Sequence, residues 1–284
     1  MKPSEVRALL ETHRLAARRD LGQNFLCDER IAEQLARIAA VEPGDRVVEI
    51  GTGLGILTRA LAARAARVVS VEVDAGIVRA LRSEALLPAE VELIHGDALE
   101  LDLGALVGEG PEPVRVVGNL PYAVASPILR RLLDLGARLE SWSVMLQKEP
   151  ARRLLAEPGS RAYGSLSVLH QLVATVKIGL DLHRRCFYPV PRVSSTFLHI
   201  TPRREAPLAP GELRMVEGVV RAAFAHRRKT IVNSLRAAAE GSPFSSERIE
   251  ETLARFGIDR RARAESLSPE QWLGVARDLA GGGG

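Results

Sequence analysis

Between positions 46 and 147 short apolar runs alternate with stretches whose apolar residues recur at helical spacing. The runs predict strands over 46–50, 67–74, 91–95, 114–117 and 142–147, and the stretches between them predict helices over 56–66, 77–82 and 125–135. Upstream, residues 21–26 read as a loop, and Asp28 stands as the N-cap of a helix with Ile31, Leu35 and Ile38 on one face. Pro43-Gly44 ends that helix. Strands separated by helices at this rhythm form βαβ units and a parallel sheet. Further on come helices over 151–156 and 165–174, then strands over 176–182 and 195–200, close enough to form an antiparallel pair at the sheet edge. The stretch between those strands, Phe187-Tyr188-Pro189-Val190-Pro191, is too rigid to be filler. Beyond Pro202 no strand pattern remains, only helices over 211–225, 229–239, 246–256 and 269–279. These patterns predict an α/β domain over 1–204, with a basic N-terminal extension over 1–21, and a helical domain over 205–284.

Composition narrows the class without naming a function. With 284 residues, 46% hydrophobic and 26% charged, the chain can bury a real core. A formal net charge of +4 permits a nucleic-acid partner. Cys27 and Cys186 are far apart in sequence and make neither a disulfide framework nor a zinc site, which points to a reducing compartment. His95, His170 and His226 lack metal-ligand spacing, so no metal site is expected. Residues 1–20 contain no apolar signal core, no run is long enough to span a bilayer, and a cytoplasmic location is expected.

The candidate chemistry lies at the predicted strand tips. The run ending at Gly118 is followed at once by Asn119-Leu120-Pro121-Tyr122. An Asn carbonyl accepts a hydrogen bond from an exocyclic amine. Pro121 biases Leu120 toward an extended conformation that could aim a second carbonyl at the same amine, and Tyr122 supplies a flat face for stacking. A plain strand-to-helix turn would use the same residue types. The first strand ends in Glu49-Ile50-Gly51-Thr52-Gly53-Leu54-Gly55, where glycines permit close backbone approach to a ligand. Glu72 sits near the tip of the second strand, at the place of a ribose-binding carboxylate, and Asp97 follows the third, where it could accept from an adenine amine. Glu72 could instead be a solvated strand-end charge, and Asp97 a simple turn aspartate. A pyrophosphate-binding site favours G-x-G-x-x-G spacing. The G-x-G-x-G spacing here, with acidic residues ending three strands, suits a cationic, phosphate-free cofactor, S-adenosylmethionine, and disfavours a NAD-dependent oxidoreductase.

In this order the motifs resemble those of the small-subunit ribosomal RNA adenine dimethyltransferases, the KsgA type. The resemblance also takes in Gly22-Gln23-Asn24-Phe25-Leu26, Gln147-Lys148-Glu149, Tyr163-Gly164-Ser165-Leu166-Ser167, Phe187 with Pro189 and Pro191, and Arg227-Arg228-Lys229-Thr230. It implies a class I, Rossmann-like methyltransferase sheet with a small all-helical C-terminal domain. It further implies transfer of methyl groups to N6 of two adjacent adenines of a small-subunit rRNA hairpin, by a monomer working on a pre-ribosomal particle. Carried over by position, the cofactor contacts are Asn24, Leu26, Gly51, Gly53, Glu72, Asp97 and Asn119, and Phe187 packs on the target base opposite Tyr122. The chain departs from the pattern at Thr52, at Ala123-Val124-Ala125 and at Pro150, none of which removes a group the chemistry needs.

Arg227, Arg228 and Lys229, ahead of a helix, are the best candidates for phosphate contact, with Lys148 beside the fifth strand as another. Two other readings share these residues. One is a large-subunit rRNA adenine dimethyltransferase of the macrolide-resistance type; the other is a non-catalytic ribosome assembly factor retaining the fold.

Overall fold

The computed structural model describes the chain except residues 19–20, 111, 122–123, 206–207, 209, 238–243 and 282–284. Its elements in chain order are α1 (Pro3–Thr12), β1 (Phe25–Leu26), α2 (Glu29–Ile38), β2 (Arg46–Ile50), α3 (Ile56–Ala62), β3 (Arg67–Glu72), α4 (Ala75–Ser83), β4 (Glu92–His95), α5 (Leu103–Val107), β5 (Val114–Asn119) and α6 (Ala125–Leu135). There follow β6 (Ser141–Gln147), α7 (Lys148–Leu154), α8 (Ser165–Val173), β7 (Ala174–Leu182), β8 (Phe187–Tyr188), β9 (Ser195–Pro202), α9 (Pro210–Phe224), α10 (Ile231–Ala237), α11 (Ser246–Arg255) and α12 (Pro269–Gly281). Contacts divide the chain into two units, Met1–Ala151 with Val176–Pro202 and Arg152–Thr175 with Arg203–Gly284.

The first unit is built on a seven-stranded sheet in the order β4-β3-β2-β5-β6-β9-β7. Strands β4 to β6 run parallel and β9 pairs antiparallel with β6. Val47, Val48, Val116, Val117, Trp142 and Val144 are all buried, as expected for central strands covered on both faces. The two late strands, expected as a pair at the sheet edge, are neighbours there: β9 joins β6 and β7 is the outermost strand beside it.

Three features were not legible as elements. Residues 3–12 form a helix whose Val6 and Leu10 are buried with Phe25, Leu54, Ile77 and Leu81, so the N-terminal extension contributes to the core. Phe25–Leu26, expected as loop, is a two-residue strand pairing antiparallel with β8, Phe25 opposite Tyr188 and Leu26 opposite Phe187. The Cys27 N–H donates to the Cys186 carbonyl at 2.9 Å, so residues distant in sequence are cross-strand neighbours, with both thiols free. The third is the single-turn α5.

The second unit is helical, yet it also takes residues 152–175, which the expected boundary at 204 left in the first domain. The reason is packing. α8 lies against α9 and α12, and the Tyr163 ring meets Phe224 edge-on at 6.1 Å. The buried Tyr163 hydroxyl donates to the Leu267 carbonyl at 3.0 Å, across 104 positions of sequence.

Candidate active site

The order of the parallel strands reverses between β2 and β5. The chain lays down β2, β3 and β4 outward, then returns to place β5 on the other side of β2. A crevice opens at the carboxyl ends of strands at such a switch point. It is the place of a pocket lined by Gly51 and Gly53 after β2, Glu72 on β3, Gly96 and Asp97 after β4, and Asn119 to Pro121 at the end of β5. Asn24, Leu26 and Phe187 also line it. Thus the expected site residues converge, apart from Tyr122, which lies outside the described residues, and the RNA candidates discussed below.

Gly51 and Gly53 have φ of 88° and 54°, in the left-handed region where a side chain is strained. They are also crowded. A Cβ at Gly51 would sit 3.3 Å from the Asn119 carbonyl oxygen, and one at Gly53 would sit 3.3 Å from the Phe25 ring. The loop is held from β3: the Gly51 N–H donates to the Val71 carbonyl at 2.9 Å, and the Gly53 N–H to Glu72 Oε2 at 2.8 Å. Glu72 Oε1 accepts from the Asp74 N–H at 2.9 Å. Glu72 is 5% exposed, and burial pushes its carboxyl above the ordinary value.

Glu49 departs from the expectation of three acidic tips facing the cofactor. It is 0% exposed and does not line the pocket; strand alternation turns it into the core beneath the glycine loop. Its Oε2 accepts from Thr58 Oγ1 and Ser70 Oγ, each at 2.6 Å, and Ser70 Oγ lies 2.6 Å from Thr52 Oγ1. Oε1 has no partner among the described residues, and burial pushes the carboxyl up to about 7 from its ordinary 4.5. The native state therefore keeps a proton that the unfolded chain releases between those values, so this group's contribution to stability falls as pH rises through that window. In urea unfolding at about pH 5 and about pH 8, Glu49→Gln is expected to lose less stability than wild type on going to the higher pH. Equal losses in both proteins would contradict the assignment.

The geometry at Asn119 orients its amide. Nδ2 donates to the Asn24 carbonyl at 3.2 Å, so Oδ1 is the atom left for a ligand, and it has no partner among the described residues. Asn24 is itself tied by an Nδ2 bond to the Gly22 carbonyl at 2.9 Å. Leu120 is 1% exposed, and no described group donates to its carbonyl. The helix that follows adds its N-cap residue Val124 and, about one turn on, Ile128 to the wall. Val124 had been noted only as part of a departure from the family pattern and Ile128 not at all, although their apolar spacing directly after the motif carried the signal. Gln23 had also been missed as a strut: its Nε2 donates to Asp74 Oδ2 at 3.0 Å and fastens the segment before Asn24 to the cap of α4.

Phe187 departs in part from its expected stacking role. It lines the pocket, but it is 2% exposed because the β1–β8 pairing holds its ring in the core with Leu26, Val117 and Met145. It forms wall, and a base stacked on it would need more ring surface than is accessible here. Asp97 fits its expected place: Oδ1 accepts from the Leu99 N–H at 2.8 Å, while Oδ2 has no partner among the described residues.

Lys148 opens α7, its N–H bound to the Ser194 carbonyl at 3.1 Å. In the second unit Arg228 and Lys229 are exposed in the turn before α10. Arg227 differs from them, because its Nη2 donates to the Arg161 and Tyr163 carbonyls at 2.8 and 3.1 Å. Arg227→Ala is expected to lower unfolding stability by about 1–3 kcal/mol, and Arg228→Ala or Lys229→Ala by less than about 0.5 kcal/mol. Equal losses in thermal or urea unfolding would contradict that division.

S-adenosylmethionine fits this donor set. Glu72 and Asp97 line the pocket, and among the described lining residues there is no Lys or Arg to meet a pyrophosphate. A family model described as ribosomal RNA adenine dimethylase matches residues 14–280. The ribosomal RNA small subunit methyltransferase A of Moorella thermoacetica is 41% identical over 284 residues, covering 98% of this chain and 97% of its own. Its counterpart in Levilactobacillus brevis is 40% identical over 269 residues, covering 94% and 91%. Among solved structures, the 23S rRNA methyltransferase ErmE is 29% identical with a TM-score of 0.65, covering 90% of this chain and 100% of its own. A dimethyladenosine transferase from Plasmodium falciparum shares the fold with a TM-score of 0.72 at 22% identity, covering 88% and 95%. The chain therefore belongs to the ribosomal RNA adenine dimethylase family, as an S-adenosylmethionine-dependent rRNA adenine dimethyltransferase with a Rossmann-like catalytic sheet and a helical C-terminal part.

Proposed function

We propose that this enzyme converts two adjacent adenosines of a small-subunit rRNA hairpin to N6,N6-dimethyladenosine, acting as a cytoplasmic monomer on a pre-ribosomal particle. The observation that carries the chemistry is the bond from Asn119 Nδ2 to the Asn24 carbonyl, which leaves Asn119 Oδ1 as an acceptor in the pocket. The small-subunit target is supported by the Moorella and Levilactobacillus relatives, matched over nearly their whole length.

An adenine amine is a poor nucleophile because its lone pair is delocalised into the ring. Asn119 Oδ1 and the Leu120 carbonyl accept its two N–H groups, which favours a pyramidal nitrogen and frees the lone pair. S-adenosylmethionine, when bound, supplies an electrophilic sulfonium methyl. Gly51, Gly53, Glu72, Asp97, Asn24 and Leu26 would hold the cofactor, Glu72 by the ribose and Asp97 by the adenine amine. No strong side-chain base is needed, because the amine proton becomes acidic as the N–C bond forms. Positioning and fixed dipoles supply the rate. Unstacking the target costs roughly a few kcal/mol, of which stacking on Tyr122 returns about 1–3 kcal/mol, while Phe187 backs the pocket. Pro121 keeps the Leu120 carbonyl in place. Arg228 and Lys229, with Lys148 and a smaller share from Arg227, meet RNA phosphates, and residues 205–284 serve RNA binding.

The test is methyl transfer from labelled S-adenosylmethionine to unmethylated small- and large-subunit particles in parallel. Label in the small-subunit RNA alone is expected. The likeness to ErmE makes the large-subunit arm a real rival, and label there would overturn the target. Particle binding with no label in either arm would favour the assembly-factor reading.

A further inference from the structure

Strand β4, which leads to Asp97, is an edge strand and carries no buried residue. The loop that follows has little packing of its own, with Ala98 as its buried point before Leu103. Internally it is a tight turn in which Glu100 and Leu101 both donate to the Asp97 carbonyl at 2.9 Å. What fixes the turn from outside is a side chain of α6. Arg131 Nη1 donates to the Ala98 carbonyl and Nη2 to the Leu101 carbonyl, both at 2.6 Å. No carboxylate pairs with Arg131 among the described residues, so its guanidinium is given to these two carbonyls.

We propose that Arg131 is a positioning residue that sets how the cofactor pocket reads the adenine amine, by clamping the Asp97–Ala98 turn onto α6. The proposal rests on the reading of Asp97 as the acceptor of that amine. The fork geometry matters, since a planar guanidinium meets two carbonyls from separate nitrogens in a fixed plane, whereas an ammonium offers its donors from a single point. The same clamp joins the two ends of the site. Arg131 lies one turn beyond Ile128, which lines the pocket, on the helix that begins just after Asn119 to Tyr122. Arg138 provides a comparison within the same region. Its Nη2 donates to the Gly104 and Gly108 carbonyls at 3.0 and 2.7 Å, around α5 and away from the lining residues.

The readout is the preference of the full-length protein for S-adenosylhomocysteine over S-inosylhomocysteine, which carries a carbonyl in place of the adenine amine, measured as two dissociation constants by calorimetry. Wild type is expected to prefer the adenine ligand by at least about tenfold, because the exchange sets a carbonyl against a carboxylate. Arg131→Met is expected to shrink that preference about fivefold or more, Arg131→Lys by an intermediate amount, and Arg138→Met not at all. KM for the RNA particle is expected to stay within about twofold in the Arg131 variants. Equal weakening toward both ligands, with the preference intact, would overturn the proposal and leave Arg131 a structural brace. If Arg131→Met does not fold, Arg131→Lys decides by the same criterion. Loss of preference in Asp97→Ala but not in the Arg131 variants would overturn the role of Arg131 alone. A wild type without preference would overturn the reading of Asp97 and this proposal with it.

Discussion

Replacing Asn119 by alanine is expected to lower kcat for methyl transfer by about 100- to 1,000-fold, the range seen when one preorganised polar group at a reacting centre is removed. The side chain does two jobs on one amide. Its Nδ2 donates to the Asn24 carbonyl at 3.2 Å, and in the proposed mechanism that bond leaves Oδ1 to accept from the target amine. Truncation leaves the Leu120 carbonyl as the one acceptor, and the lone pair is no longer aimed. The structural cost is a single part-buried hydrogen bond, about 1 kcal/mol, so the variant should fold. Asn119→Asp is a sharper probe, because a carboxylate accepts but cannot donate to the Asn24 carbonyl. It too is expected to lose most activity, through lost orientation and not lost acceptor capacity. Near-normal kcat in the alanine variant, measured with saturating cofactor and particle, would rule out this mechanism.

Glu72→Ala is expected to weaken S-adenosylmethionine binding by about 100-fold, equivalent to about 2.7 kcal/mol. Glu72 holds the pocket floor from two sides, accepting from the Gly53 N–H at 2.8 Å and the Asp74 N–H at 2.9 Å. Removing the carboxylate frees the glycine loop on one flank and the start of α4 on the other, besides deleting the acceptor proposed for the ribose. Bonds to an ionised acceptor are worth roughly 1.5–3 kcal/mol each, so a fall in thermal stability should accompany the loss of affinity. Glu72→Gln keeps one accepting oxygen and should fall between wild type and alanine. Calorimetric titration with S-adenosylmethionine reads the effect directly. Unchanged affinity in the alanine variant would mean the carboxylate serves only the loop.

The parallel part of the sheet was readable because β2, β3, β5 and β6 are apolar runs bounded by turn residues, a signal confined to a few neighbouring positions. The acidic and glycine tips came with it, since a strand end carries its following residues to the same edge. What escaped depended on distant pairing. Phe25–Leu26 is a strand only because Phe187–Tyr188 lies beside it, and nothing within either dipeptide announces the other. That pairing also explains why Phe187 is wall and not platform. Residues 152–175 joined the helical unit through Tyr163 meeting Phe224 and Leu267, contacts with no local signature. Glu49 was misread for a different reason. Proximity to a strand tip does not tell which face a side chain takes, and strand alternation buried it under Thr58 and Ser70. Arg131 and Arg227 follow the same logic, because a sequence shows an arginine but not the carbonyls it will meet.

In the proposed mechanism the pocket presents the N6 amine of adenine, and no other atom, for methylation. Nucleoside analysis of labelled small-subunit rRNA, taken through a time course with the wild-type enzyme, tests it most directly. N6-methyladenosine passing to N6,N6-dimethyladenosine at two adjacent positions is the expected result. Label on a ring nitrogen or carbon of adenine, on a ribose oxygen or on another base would contradict the arrangement of Asn119 and Leu120 described above.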